Sequence, residues 1–189
     1  MKIMKNHPTV PFLLVAFLAV AASAIASDAP RVPRTTLAAA EKSLDNRFAG
    51  LWNDNPFIML GPTRGVYLEA YGAVFTAEVN LVAGPQITII MQAPTKQSIA
   101  EHRQKKLARI PELKKAMAKA LADTAASPEM AAVPPDEQIV LVAFLSHFPW
   151  EDLSGVPSQI MMQGSKKKLM EAQPKGGAAL EASIQAVTY

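Results

Sequence analysis

Between Tyr71 and Leu81 apolar side chains recur at every second residue, and residues 139–145 contain no polar residue at all. In the first segment Tyr71, Ala73, Phe75, Ala77, Val79 and Leu81 share one face, with Thr76, Glu78 and Asn80 on the other, which is the period of a half-buried strand. The second is seven residues long and begins Ile139-Val140, and its length and β-branched content predict a strand covered on both faces near the centre of a sheet. Together they commit the chain to a sheet on which its helices must pack.

The helical segments are equally periodic. Leu37, Ala40, Leu44, Phe48 and Leu51 predict an amphipathic helix over residues 36–52, capped by Thr35 or Thr36 and ended by Asn53-Asp54-Asn55-Pro56. Thr95 opens a longer pattern in which Ile99, Arg103, Leu107, Ile110, Leu113, Met117 and Leu121 form one stripe, and Pro111 predicts a kink or a break into two helices. A proline-containing connector over 125–135 precedes the buried strand. A loop over 147–157, a short strand over 159–163 and a basic helical turn behind Ser165 follow it, and Gly176-Gly177 leads to a final Ala-rich helix ending near Val187.

Val66 and Leu68 fall on the opposite phase to the Tyr71–Leu81 alternation, so the long strand needs a bulge or tight bend near Ala70 to Gly72, which Gly72 makes sterically cheap. After a turn at Ala83-Gly84-Pro85, Ile87, Ile89 and Met91 alternate with Gln86 and Thr88 and predict a second strand over 86–92. The order strand, strand, helix therefore occurs twice. The expected fold is a single α+β domain over 35–189: an antiparallel sheet of about four strands built from two β-β-α units, preceded by one helix and covered by helices.

The N-terminal residues have a different character. Lys2 and Lys5 precede an apolar run over 11–22, then Ser23-Ala24-Ile25-Ala26 and Ser27-Asp28, the layout of a signal peptide cleaved after Ala26. Residues 27–34, with two prolines and two arginines, predict a linker. The apolar stretch over 11–26 is shorter than the roughly 20 residues needed to span a bilayer as a helix. The chain should therefore be exported, to the periplasm or beyond the cell.

With no cysteine, a disulfide framework, a thiol nucleophile, a lipid-attachment cysteine and Cys-ligated zinc or iron–sulfur sites are all excluded. Removal of Lys2 and Lys5 lowers the formal charge from +3 to +1, so net charge gives no argument for nucleic acid. The phosphate-binding, dinucleotide, zinc-protease and hydrolase-elbow signatures are absent, and no cofactor is implied.

The segment Gly65-Val66-Tyr67-Leu68-Glu69-Ala70-Tyr71-Gly72-Ala73-Val74-Phe75-Thr76, with Phe148-Pro149-Trp150-Glu151-Asp152 and Gly155-Val156-Pro157-Ser158-Gln159-Ile160, resembles a group of uncharacterised exported bacterial proteins. The resemblance implies export and a shared fold and assigns no catalytic residue. Members of that group usually carry Gly-Tyr-Gly where this chain has Ala70-Tyr71-Gly72, which makes the bend less flexible here.

Three sets of residues carry candidate chemistry. His147 at the end of the buried strand faces a loop with Glu151 and Asp152, a conceivable metal or small catalytic site, although no recognised ligand spacing supports it. A Ser146, His147 and acid relay is disfavoured because neighbours on a strand point to opposite faces. His102 sits on a helix among Arg103, Lys105 and Lys106, which leaves His147 as the histidine positioned for function. Glu69 and Glu78 are too far apart along an extended strand to act as an acid/base pair. Phe148 and Trp150 either cover the end of the core or form a recognition patch, and Tyr67 and Tyr71 either pack on the sheet or line a cleft.

Finally, the helix over 96–123 carries eight Lys/Arg against three acids. Arg103, Lys106, Lys114 and Lys115, with Lys166, Lys167 and Lys168, could form a basic face for a weak contact with an anionic membrane surface, or merely keep the helix solvated. The leading expectation is a non-catalytic binding or interaction protein whose partner is a protein or envelope component. The alternatives are a small enzyme or metal-binding protein centred on His147 and a peripheral membrane-surface protein.

Overall fold

The computed structural model of the chain describes residues 32–50, 58–84 and 93–189. In chain order the elements are α1 (Arg34–Ala49), β1 (Ile58–Met59), β2 (Arg64–Leu68), β3 (Gly72–Asn80), α2 (Lys96–Ala125), β4 (Gln138–Leu145), β5 (Gln159–Ser165), α3 (Lys166–Ala172), α4 (Gly177–Ser183) and β6 (Gln185–Thr188). A 3₁₀ turn, Pro128–Met130, lies between α2 and β4. The fold is α+β, as the strand and helix periods require.

The sheet runs β1-β3-β4-β5-β6, with β2 also paired to β3 beside β1. Every pair is antiparallel except the one at its heart: β3 and β4 run parallel from Gly72↔Gln138 to Val79↔Leu145. The sheet is therefore mixed rather than antiparallel. A parallel pair cannot be closed by a hairpin and needs a long crossover, which here includes the 30-residue α2. The β4–β5–α3 succession matches one expected β-β-α unit, whereas the strand expected over 86–92 lies outside the described residues.

The inner face of the sheet holds the core. Ala73, Phe75, Ala77 and Val79 of β3, Ile139, Leu141, Ala143 and Leu145 of β4, and Ile160 and Met162 of β5 pack with Leu37, Ala40, Leu44 and Phe48 of α1 and with Leu113, Met117 and Leu121 of α2. Each fully buried Leu or Phe of this set contributes roughly 1.5–3 kcal/mol of transfer free energy. Pro111 does not break α2, which runs through it. The proline removes the helical donor of the Leu107 carbonyl and stands on the exposed side of the helix.

Helix α1 starts at Arg34 behind Pro33 rather than behind a threonine cap, and Val32, expected in a linker, is buried. Its register is fixed by two carboxylates one turn apart: Glu41 accepts from the Gly65 N–H at 2.6 Å and Asp45 from the Thr63 N–H at 2.8 Å. Both bonds satisfy backbone donors at the margin of the sheet, which blunts that edge against foreign strands. The last helix is also shorter than its alanines suggest. It ends at Ser183, and Gln185–Thr188 instead pairs with β5 as an edge strand.

The bend near residue 70 is a complete hairpin. Tyr71 N–H donates to the Leu68 carbonyl at 3.0 Å, and β2 folds back along β3 with Val66 opposite Val74. Ala70 has φ +61°, a left-handed conformation that costs a residue with a Cβ roughly 1–2 kcal/mol. Gly72 has φ +135°, and a Cβ there would lie 1.9 Å from the Gln138 carbonyl oxygen. Two outcomes follow for urea unfolding midpoints. Ala70→Gly, at an exposed site with no packing to lose, should raise stability by up to about 1 kcal/mol, after subtraction of the glycine's greater unfolded-state entropy. Gly72→Ala should lower it by more than about 2 kcal/mol, because the added methyl group meets backbone.

Candidate functional site

The loop between β4 and β5 is anchored on the N-terminal half of α2 by a buried ion pair. Lys106 and Glu151, each with a side chain 2% exposed, bond directly, Nζ to Oε2. The ammonium also donates to the Ser146 carbonyl at 3.0 Å, and Glu151 Oε1 accepts from the Phe148 N–H at 3.1 Å. His102, one turn before Lys106, brings Nε2 to 3.2 Å from Glu151 Oε1, but Nε2 makes no hydrogen bond. Trp150 packs edge-on against His102 with centroids 4.9 Å apart and stacks parallel on Phe148 at 5.7 Å. Phe148 in turn sits on Gly84, where a Cβ would approach the ring to 2.6 Å.

His102, passed over in the sequence in favour of His147, is thus the histidine that meets Glu151, and its side chain is only 11% exposed. The available signal was phase: stepping back from Met117 and Leu113 by helical intervals reaches Ile110, then Lys106 and His102. His147 is exposed. Glu151 is occupied as described, and Asp152 accepts from Arg103 at 3.1 Å and from the Ser154 N–H and hydroxyl. Among the described residues no three His, Asp or Glu side chains form a group that could hold a metal ion. The Ser146 hydroxyl donates to Glu78 Oε1 at 2.6 Å. A cavity of about 50 Å³ lined in part by Lys106, Ser146 and His147 is the space available beside the anchor. Phe148 and Trp150, both half-buried, cover this end of the core and do not stand free as a recognition patch.

The expected basic face is dispersed. Lys106 is buried in the ion pair, and Arg103 is bonded to Asp152. Lys166 is also buried, its Nζ donating to the carbonyls of Met130 at 2.6 Å and Val133 at 2.7 Å, with Ala131 at 3.4 Å. Desolvation pushes the Lys166 pKa down. The two buried ammonium groups hold loops and cannot reach a membrane surface, while Lys115, Lys167 and Lys168 are exposed and Lys114 half-buried.

The tyrosines separate by face. Tyr67 turns toward the helices and donates to Glu137 Oε1 at 3.2 Å. Tyr71 reaches across the opposite face, its hydroxyl 3.3 Å from Gln163 Oε1 two strands away, which lays the ring over β4 and accounts for the burial of Val140 outside the core cluster. That outer face carries an apolar patch among polar positions. The register aligns Val66, Val74 and Val140 in one row, completed by Gln163 and Gln185; Val142, Met161 and Val187 in the next, completed by Arg64 and Thr76; and Phe144 beyond, flanked by Glu78 and Gln159. Val66, Leu68, Tyr71 and Phe144 are 49%, 46%, 42% and 44% exposed. The expectation that β4 is covered on both faces therefore holds at Val140 and fails at Phe144. Among the described residues the helices pack on the inner face only.

No protein-family model matches the chain, and no curated protein or solved structure matches it significantly.

The loop anchor makes two testable statements. Lys106→Met should cost about 3–5 kcal/mol in urea unfolding by leaving a carboxylate buried alone, and the double variant Lys106→Met/Glu151→Gln should recover most of it. Burial lowers the His102 pKa below its ordinary 6.5; Glu151 opposes the shift, while Lys106 and Lys105 reinforce it. The folded state binds that proton less readily than the unfolded one, so the contribution is complete above pH 6.5 and is lost as pH falls below it. Unfolding midpoints at a series of pH values should decline from that point, and His102→Gln should flatten the decline.

Proposed function

We propose that the protein is an exported, non-catalytic binding protein that holds a protein partner against the outer face of its sheet. The observation that carries this reading is the exposure of Val66, Leu68, Tyr71 and Phe144 on a face that no described helix covers. At ordinary strand spacing, five strands of about seven residues give roughly 20 by 20 Å, about 400 Å² in plan for the whole face with its polar positions included, so the apolar patch within it is of the modest size found at small interaction sites. Such a footprint is below the roughly 800 Å² per partner of a stable standard interface and suits a transient contact. As an open sheet face rather than an enclosing cavity, it favours a protein over a small molecule. Arg64 and Glu78 are its exposed charges, one of each sign, so nothing on it attracts an anionic bilayer.

Export rests on the sequence of residues 1–26 and on the resemblance to exported bacterial proteins. The catalytic alternative draws no support from the arrangement around Glu151, whose two oxygens are both engaged in fixing the loop.

The test is a photo-crosslinking residue placed at Phe144 in producing cells, with Lys168 as the control position. An adduct of one defined mass is expected from position 144 and not from 168, and it should disappear when Val142→Glu is added. An adduct of twice the chain mass would make a second copy the partner. Absence of an adduct at 144, or equal labelling at both positions, would overturn the reading.

A further inference from the structure

A second surface lies on the helix side of the sheet, remote from the outer face. Between the C-terminal half of α2 and the α4–β6 segment runs an open groove of about 1150 Å³. Its α2 wall extends from Pro111 to Asp123, about 18 Å at the helical rise. Ala118 and Ala122 make this wall low, and Met162, Leu180 and Ile184 supply an apolar floor and far side.

The charges are unevenly placed. Lys119 is bound to Asp123 at 2.7 Å, and Asp123 also takes Arg47 and Gln173. Toward the other end Lys114 and Lys115 line the groove with no ion pair among the described residues, and Glu112 lines it beside them, which leaves that end one positive charge in excess. Glu181, the acid on the α4 wall, lies on the opposite side from them. The far wall begins at a glycine pair: Gly176 and Gly177 have φ +59° and +48°, and a Cβ on either would meet nothing within 4 Å. The seven-residue α4 they introduce has no fully buried residue.

We propose that this groove binds a single-chain anionic amphiphile, its acyl chain along Ala118, Ala122, Leu180 and Ile184 and its carboxylate or phosphate between Lys114 and Lys115. An apolar trough with a net positive charge toward one end matches such a ligand in both parts: the chain gains by leaving water, and the headgroup meets two lysines, on the side away from Glu181, that outnumber Glu112 there. A neutral hydrocarbon would use only the floor, and a free phosphate only the lysines.

The test uses the full-length exported protein titrated with palmitate, by displacement of the fluorescent fatty acid cis-parinaric acid. Affinity should rise about threefold to fourfold per added methylene along a saturated fatty-acid series until the groove is filled. Hexadecanol should bind at least tenfold more weakly than palmitate. Comparison of palmitate with a lysophosphatidic acid of the same chain length assigns the headgroup, carboxylate or phosphate monoester, while inorganic phosphate alone should not compete. Lys114→Ala/Lys115→Ala should weaken palmitate by at least tenfold, and Ala118→Trp should block it. Ala118 is half-buried and the lysines border solvent, so unchanged unfolding midpoints are expected to accompany these losses. No saturable binding, or binding that neither variant alters, would overturn the proposal without bearing on the outer sheet face.

Discussion

The parallel pairing of β3 with β4 is the constraint from which the rest of the architecture follows. Two neighbouring strands that run the same way force the chain to cross from one end of the sheet to the other between them, and α2 lies on that crossover. Because α1 packs on the same side, the described helices form a single layer, and among the described residues the sheet has one face covered by helices and one that is not. The polar anchors serve that layer: Glu41 and Asp45 fix α1 to the margin of the sheet, and Lys106 fixes the β4–β5 loop to α2.

Charge performs a structural task here that apolar contact cannot. A loop carrying Phe148, Pro149 and Trp150 could slide over an apolar helix with little change in buried area, since hydrophobic contact is not directional. A carboxylate that must meet Lys106 and the Phe148 N–H together has one position. The aromatic stack then closes over His102 and Gly84. The loop that looked most like chemistry is thus held rigid by the same groups that gave it that look.

Much of the framework was legible in the sequence because periodicity reports which side chains leave water. The α1 stripe, the Thr95 cap of α2, the central position of β4 and the turn at 70–72 all came from local pattern. What local pattern does not encode is which strand lies beside which, so the parallel central pair and the β6 edge were missed. Tertiary context also reassigned residues: Lys106 and Lys166 read as surface cations because lysine is seldom buried, and they are buried because carboxylate or carbonyl oxygens await them. The exposed outer face was half legible. Val66 and Leu68 stood out of phase with β3, yet only the hairpin register shows that they extend a face shared with Val74 and Phe144.

The run Lys166-Lys167-Lys168 ends as three neighbours with unequal chemical access. Lys167 and Lys168 stand in solvent, whereas the Lys166 amine is enclosed by the carbonyls of the 3₁₀ turn and the residues after it. A reagent that acylates free amines would modify the first two at once and reach Lys166 only in molecules whose turn has opened. Within one short stretch the chain therefore carries both a reference and a recorder for local unfolding, and the ratio of their labelling reads the opening rate of the segment that leads into the central strand.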